Sequence, residues 1–300
     1  MKRIVVEKDL GQKETYAKWN GKFLDESAYH TVIKVTDEDM GVMKPILSLD
    51  GSDVPLAYVI TNAFPQQSKI RDILTTIEDT STMRANCSGP IDKEEMLAKG
   101  LVEGEDYKLR TPNSYHTRTK SGGWGMIAYS NEIHSVMIGH KRGRFTGGID
   151  VSGWCKDNKE KWESLQEITE HNETAFAKAN NDIYRSQKSF AENNIRPEHR
   201  IGEGIFTTLS ANRYSSYQST KMAAHVDSGD TDAGMTSMCV FREGDYDGAY
   251  LCFPRYGIAI DAPDNSVVIA DSQEVHGVTP ISGKGQRFSV VAYCDRRLAT

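Results

Sequence analysis

From Gly204 to the C-terminus the sequence breaks into short apolar runs of alternating pattern, each closed by Gly, Asp, Asn or Pro, and this limits the fold more than any other feature. Alternation with period two sends successive side chains to opposite faces of a strand. Strands are expected near 205–212, 217–226, 236–241, 249–253, 257–260, 265–270, 274–279 and 286–294. Eight short strands with such punctuation predict a double-sheet jelly roll. The fold class expected is α+β, a double-stranded β-helix (jelly-roll) core with flanking helices.

The rest of the chain divides in two. Residues 1–60 alternate short apolar runs, such as Thr31-Val32-Ile33-Lys34-Val35, with acidic and Gly/Pro turns, and read as a strand-rich flank. Residues 61–200 mix helices with basic loops, leaving 201–300 as the core of one compact domain. One helix is expected over about 158–194, where Trp162, Leu165, Thr169, Phe176, Ala179, Ile183 and Phe190 recur at three- and four-residue steps. Asn193, Asn194 and Pro197 close it.

Within the expected core lie His225-Val226-Asp227 at a strand end, a lone His276, and Arg287-Phe288-Ser289 on the last strand. Two imidazoles and a carboxylate can occupy one face of an octahedron around Fe(II), leaving three positions for a chelating cosubstrate and dioxygen. An H-x-D triplet alone says little. Eight histidines and 42 acidic residues in 300 give roughly one H-x-D/E by chance. His171-Asn172-Glu173 is such a decoy, falling where the pattern is helical and i and i+2 do not face each other; it is read as a solvated face. In a strand, i and i+2 share a face, so His225 and Asp227 point the same way.

His276 alone reads equally as a structural histidine, and Arg287 alone as a surface arginine. Their order and spacing point further. Arg287 and Ser289 share a strand face and can both bond one carboxylate, as a planar guanidinium does in anchoring the far end of 2-oxoglutarate.

The five cysteines, Cys87, Cys155, Cys239, Cys252 and Cys294, are odd in number and scattered, which speaks against a disulfide framework or a structural zinc site. No apolar run is long enough to span a bilayer and no secretory signal is present, so the expected location is the cytoplasm. A net charge of −6 argues against a general nucleic-acid binder. Between 107 and 149, however, Lys108, Arg110, Arg118, Lys120, Lys141, Arg142 and Arg144 face a single acid, Glu132, with Gly and aromatic residues such as Trp124 and Phe145 interleaved. Such loops either follow a phosphate backbone or are merely solvated.

The runs Phe206-Thr207-Thr208-Leu209-Ser210-Ala211-Asn212, Ala224-His225-Val226-Asp227-Ser228-Gly229-Asp230, Gly248-Ala249-Tyr250-Leu251-Cys252-Phe253-Pro254, and His276 with Arg287-Phe288-Ser289-Val290-Val291-Ala292-Tyr293 resemble the oxygenase domain of the TET/JBP family. These are Fe(II)- and 2-oxoglutarate-dependent dioxygenases that oxidise the 5-methyl group of pyrimidines in DNA. The match covers about 204–296; a looser one takes in Arg84-Ala85-Asn86-Cys87-Ser88-Gly89 and the basic loops. The chain lacks the Cys-rich zinc-binding region and CXXC module of animal members and is more similar to compact protist- or phage-type ones.

The resemblance implies iron ligation by His225, Asp227 and His276, with 2-oxoglutarate and O2 as cosubstrates. It implies that Arg287 with Ser289 binds the distal carboxylate and that Asn212 lines that pocket. Asp230, and on looser grounds Asn86 and Arg84, would meet an extruded base, while Trp124, Lys141, Arg142 and Arg144 would clamp DNA. The partner implied is double-stranded DNA containing 5-methylcytosine, with no membrane and no obligate protein partner. An ionised Asp230 accepts but does not donate, which suits the amine of cytosine better than the O4 of thymine; thymine comes second. Two rivals stay open. One is a 2-oxoglutarate oxygenase of an amino acid, peptide or metabolite, for which the basic loops have no use; the other is a non-catalytic binding protein with a dead iron site. A halogenase is disfavoured because Asp227 fills the position chloride needs.

Overall fold

The computed structural model describes residues 4–36, 43–49, 54–65, 70–72, 74, 82–83, 93–98, 100, 102–103, 107–109, 116–119, 124–126, 134–142, 148–218 and 222–300. The first half supplies strands β1 (Ile4–Glu7), β2 (Thr31–Lys34), β3 (Met43–Leu49), β4 (Val54–Ile60), β5 (Thr82–Met83), β6 (Tyr107–Leu109), β7 (His116–Thr119), β8 (Trp124–Met126), β9 (His134–Arg142) and β10 (Ile149–Val151), with helices α1 (Gln12–Trp19) and α2 (Lys93–Ala98). Helices α3 (Gly153–Asp157), α4 (Lys159–Ala179) and α5 (Asn181–Asn194) follow. The remainder is β11 (Thr208–Ser215), β12 (Met222–His225), β13 (Thr236–Gly248), β14 (Leu251–Phe253), β15 (Ile258–Asp261), β16 (Ser266–Ala270), β17 (His276–Val278) and β18 (Ile281–Tyr293).

The fold is mixed α+β, with two main sheets and flanking helices. The larger sheet runs β1-β3-β4-β16-β13-β18-β11-β9-β10, with β5 also on β9; the smaller runs β12-β17-β14-β15-β2. Strands β6, β7 and β8 form a separate sheet. Period-two alternation explains the layering. Met238 and Val240 of β13 and Val268 of β16 pack against Leu251 and Phe253 of β14 and Ile258 and Ile260 of β15, filling the space between the sheets. Their sequence neighbours Cys239, Phe241, Val267 and Ile269 face the other way, onto Leu165, Ile168 and Phe176 of α4. On the far side of the smaller sheet, Cys252 and Ala259 meet Trp19 of α1 and Leu24. Burying both faces of both sheets removes a large apolar area from water, at roughly 25 cal/mol per Å².

Each of the eight runs read as strands contains one, with shifted ends. The largest departure is β13 with β18, which pair without a break from Ser237↔Ala292 to Gly248↔Ile281. Gly244 and Gly283 look like turn residues in the sequence, yet they sit inside this ribbon at φ 77° and 100°. A Cβ on Gly283 would lie 2.7 Å from the Asp245 carbonyl oxygen, so glycine here permits close backbone approach rather than a chain reversal.

The helix expected over 158–194 is two helices. Asn180 leaves helical geometry (φ −152°, ψ 98°), and its side chain accepts from the backbone N–H of Asp182 (3.1 Å) and Ile183 (3.0 Å), capping α5. Apolar periodicity carries across the break, so the pattern alone does not reveal it. His171-Asn172-Glu173 is not a solvated face: Asn172 is fully buried and accepts from Cys239 Sγ at 3.1 Å, and His171 meets Phe64 edge-on. Cys155, Cys239, Cys252 and Cys294 are buried free thiols. Helix α1 was not foreseen within the strand-rich flank. No helix among the described residues is long and apolar enough to cross a membrane.

Candidate metal and cosubstrate site

Strands β12 and β17 pair antiparallel with His225 opposite His276, and the two imidazole rings lie 4.6 Å apart between centroids. Each ring is oriented from behind in the same way. Nδ1 of His225 bonds the Ala223 carbonyl at 2.9 Å, and Nδ1 of His276 bonds the Glu274 carbonyl at 2.9 Å. A carbonyl only accepts, so both Nδ1 atoms carry a proton and donate it, which turns both Nε2 atoms the other way. The Nε2 atoms converge on Asp227: His225 Nε2 is 3.6 Å from Oδ1, and His276 Nε2 is 3.5 Å from Oδ2. One ligand atom from each of the three residues falls within 4.8 Å of the others. Two neutral imidazole nitrogens and one carboxylate oxygen at this separation fit a divalent iron, whose outer shell is the pair of backbone carbonyls. Burial alone would lower the His276 pKa, but the Asp227 carboxylate outweighs it and leaves the group above its ordinary value.

Arg287 and Ser289 point from β18 into the space between the sheets, while Phe288 and Val290 turn outward into the helix-side core. Arg287 is buried; its Nη1 donates to the Ala249 carbonyl, and its guanidinium lies over the Tyr214 ring at 4.8 Å. The Nε of Arg287 and the hydroxyl of Ser289 are both buried without a partner, and no carboxylate among the described residues pairs with the arginine. Burial depresses its pKa. A buried guanidinium beside an unbonded hydroxyl is costly unless an acceptor arrives, and a carboxylate answers both groups. Asn212 stands in register with Ser289 across β11 and bonds within its own strand to Ser210. A cavity of about 400 Å³ joins the triad to Arg287, Ser289 and Asn212, walled by Met222, Met238, Leu251 and Val278.

Asp230 also lines this cavity. Its Oδ2 accepts from Thr236 Oγ1 at 2.5 Å and Ser272 Oγ at 3.0 Å. Burial first, and the Asp227 carboxylate second, push its pKa up to about 7. Oδ2 is thus already engaged by two hydroxyl donors and is not a free acceptor.

Of the residues expected on DNA, Lys141 is exposed on β9. The Arg142 guanidinium donates to the carbonyls of Arg297 (2.5 Å) and Ala299 (3.1 Å). Trp124 belongs to β8. Arg84, Asn86 and Arg144 lie outside the described residues. The sequence reading overlooked Tyr214, which shares a strand face with Asn212 two residues earlier and supports Arg287. It also overlooked Arg297, a cavity-lining residue in a charged Asp-Arg-Arg cluster beyond the last strand.

Residues 154–296 match the model of Tet_JBP, described as the oxygenase domain of the 2OGFeDO superfamily. The bifunctional helicase and thymine dioxygenase JBP2 of Trypanosoma brucei brucei is 32% identical over 102 residues, which is 33% of this chain and 9% of that protein. The chain thus spans under a tenth of the length of that relative. Among solved structures, NgTET1 in complex with 5mC DNA superposes with a TM-score of 0.51 at 11% identity, covering 97% of this chain and 93% of that one. At that identity the likeness speaks to the fold.

Proposed function

We propose that this chain, whose residues 154–296 match the Tet_JBP model of 2OGFeDO oxygenase domains, hydroxylates the 5-methyl group of a pyrimidine in DNA. The observation that carries the reading is one cavity holding both the His225, Asp227, His276 cluster and the buried Arg287, whose Nε and the neighbouring Ser289 hydroxyl have no hydrogen-bond partner. The protein is a Fe(II)/2-oxoglutarate-dependent dioxygenase. Iron with its cosubstrate supplies oxidative decarboxylation of the 2-oxo acid to succinate, coupled to transfer of one oxygen from O2 to a C–H bond.

The chain's own groups do the rest. His225, Asp227 and His276 hold the metal on one face; Arg287 and Ser289 fix the distal carboxylate of 2-oxoglutarate, with Tyr214 behind the guanidinium. The apolar wall of Met238, Leu251 and Val278 excludes water between these ends. We read the two facing sheets as the double-stranded β-helix of this superfamily, its open end carrying the site.

About 400 Å³ suits a small ligand and cannot admit a duplex, so the reacting base has to leave the stack. Extrusion costs a few kcal/mol, which phosphate and stacking contacts offset. The earlier preference for 5-methylcytosine is not retained. It rested on Asp230 as a free acceptor, and Asp230 is buried and engaged by Thr236 and Ser272. The relative with the stronger sequence likeness is named a thymine dioxygenase, so thymine stands first and 5-methylcytosine second.

The test is substrate-stimulated succinate formation. Oligonucleotides bearing 5-methylpyrimidines should raise it well above the level with cosubstrate alone, whereas stimulation by amino acids or peptides and not by DNA would refute the reading.

A further inference from the structure

Beside the metal cluster, the loop from Asp227 to Asp230 is fastened by the residues that follow the last strand. Asp230 and Asp295 form an antiparallel bridge, and the Arg296 backbone N–H donates to the Gly229 carbonyl at 3.0 Å. Arg296 Nη2 reaches the Ser228 carbonyl at 2.8 Å. Arg297 lies over the loop: a Cβ on Gly229 would be 2.9 Å from its Cζ and Nη2.

Arg297 is held along one edge. Its Nε and Nη2 each lie 2.7 Å from the carboxylate of Asp295, which is 6% exposed, while the arginine side chain is 63% exposed. A guanidinium carries five N–H groups, so this pairing leaves donors on the opposite edge. The same residue lines the cavity with His225 and Asp227, and Arg142 grips its backbone carbonyl. Arg297 thus lines the cavity while the Arg296 and Arg142 guanidiniums hold the backbone on either side of it, in a chain of net charge −6. A cation fixed by a buried carboxylate, half in solvent at the rim of a site that takes one nucleotide, is matched to an anion entering with that nucleotide.

We propose that Arg297 is a phosphate-binding residue, taking a backbone phosphate of the nucleotide whose base enters the cavity. This rests on the DNA reading above and assigns to it a residue outside the 154–296 match.

The experiment pairs a protein change with a DNA change. Binding of the metal-loaded protein, under nitrogen, to a duplex containing 5-methylcytosine and thymine is measured across a series of salt concentrations. Wild type and Arg297→Gln are each tested on the natural duplex and on duplexes with one neutral methylphosphonate on either side of the target nucleotide. One lost phosphate contact lowers the slope of log K against log salt by about 0.9. The expected result is that loss with one methylphosphonate position in wild type, the same loss with Arg297→Gln on natural DNA, and no further loss when both are combined. Additive losses, or no change in slope with either methylphosphonate, would overturn the assignment. An unchanged slope with the methylphosphonates on wild type overturns the assignment even if Arg297→Gln fails to fold, and Arg297→Lys, which keeps the charge, then supplies the variant arm. Absence of salt-dependent binding by wild type would instead overturn the DNA reading itself, and this inference with it.

Discussion

His225 and His276 stand opposite each other in register, and each donates its Nδ1–H to the carbonyl two residues upstream, so the Asp227 carboxylate lies between the two Nε2 atoms. Such a cluster gains stability from a divalent cation. At a free metal concentration a hundredfold above Kd, binding to the native state alone stabilises it by about 2.7 kcal/mol. Thermal unfolding with and without Fe(II) or Mn(II) under nitrogen should show that shift in wild type and lose it in His276→Ala. An equal shift in the variant would place the metal elsewhere.

Arg287 is buried over Tyr214 with its Nε unpartnered. Hydrogen bonds between charged groups are worth about 1.5–3 kcal/mol, so Arg287→Lys, which loses the planar fork, should raise the KM for 2-oxoglutarate by about tenfold or more. Ser289→Ala removes one neutral donor and should raise it a few-fold, at about 0.5–1.5 kcal/mol. Unchanged KM in both variants would show that the cosubstrate carboxylate binds elsewhere.

Asn180 both ends α4 and caps α5, and its amide donates to the Tyr58 hydroxyl at 2.8 Å. Asn180→Ala should cost about 1 kcal/mol in urea unfolding. Activity per folded molecule should stay at the wild-type level, because the break lies on the helix side of the larger sheet.

His140 is buried on β9 against Trp162 and His199, with its Nδ1 unpartnered. Burial, then the neighbouring His199, lowers its pKa below 6.5. The unfolded chain therefore takes up a proton first as pH falls, and its contribution to stability is intact above pH 6.5 and declines toward the folded-state pKa. The urea midpoint of wild type should drop between pH 7.5 and 5.5, and that drop should be smaller in His140→Phe. An identical drop in both proteins would assign the pH dependence to other groups.

Much of the fold and of the site is legible in the sequence. Period-two alternation in 204–294 marks the strands because successive side chains point to opposite faces, and the Arg287, Ser289 spacing marks the cosubstrate face for the same reason. The misses have physical causes too. Gly244 and Gly283 signal turns in sequence, but here they relieve backbone contact inside a long ribbon. Asn180 is an ordinary polar residue within a helical period until its cap bonds are seen. Asp230 looks like a free carboxylate in a Gly-rich loop, and only tertiary packing places Thr236 and Ser272 on it. Arg297 acquires meaning only through Asp295 and Gly229, which no spacing rule brings together.

The central claim is tested most directly by nucleoside mass spectrometry of duplex DNA containing both thymine and 5-methylcytosine after incubation with the protein, Fe(II), ascorbate and 2-oxoglutarate, with His276→Ala alongside. The account predicts one added oxygen on a methylated pyrimidine, thymine before 5-methylcytosine, and none in the variant. Succinate accumulating with wild type while every pyrimidine stays unmodified would contradict it.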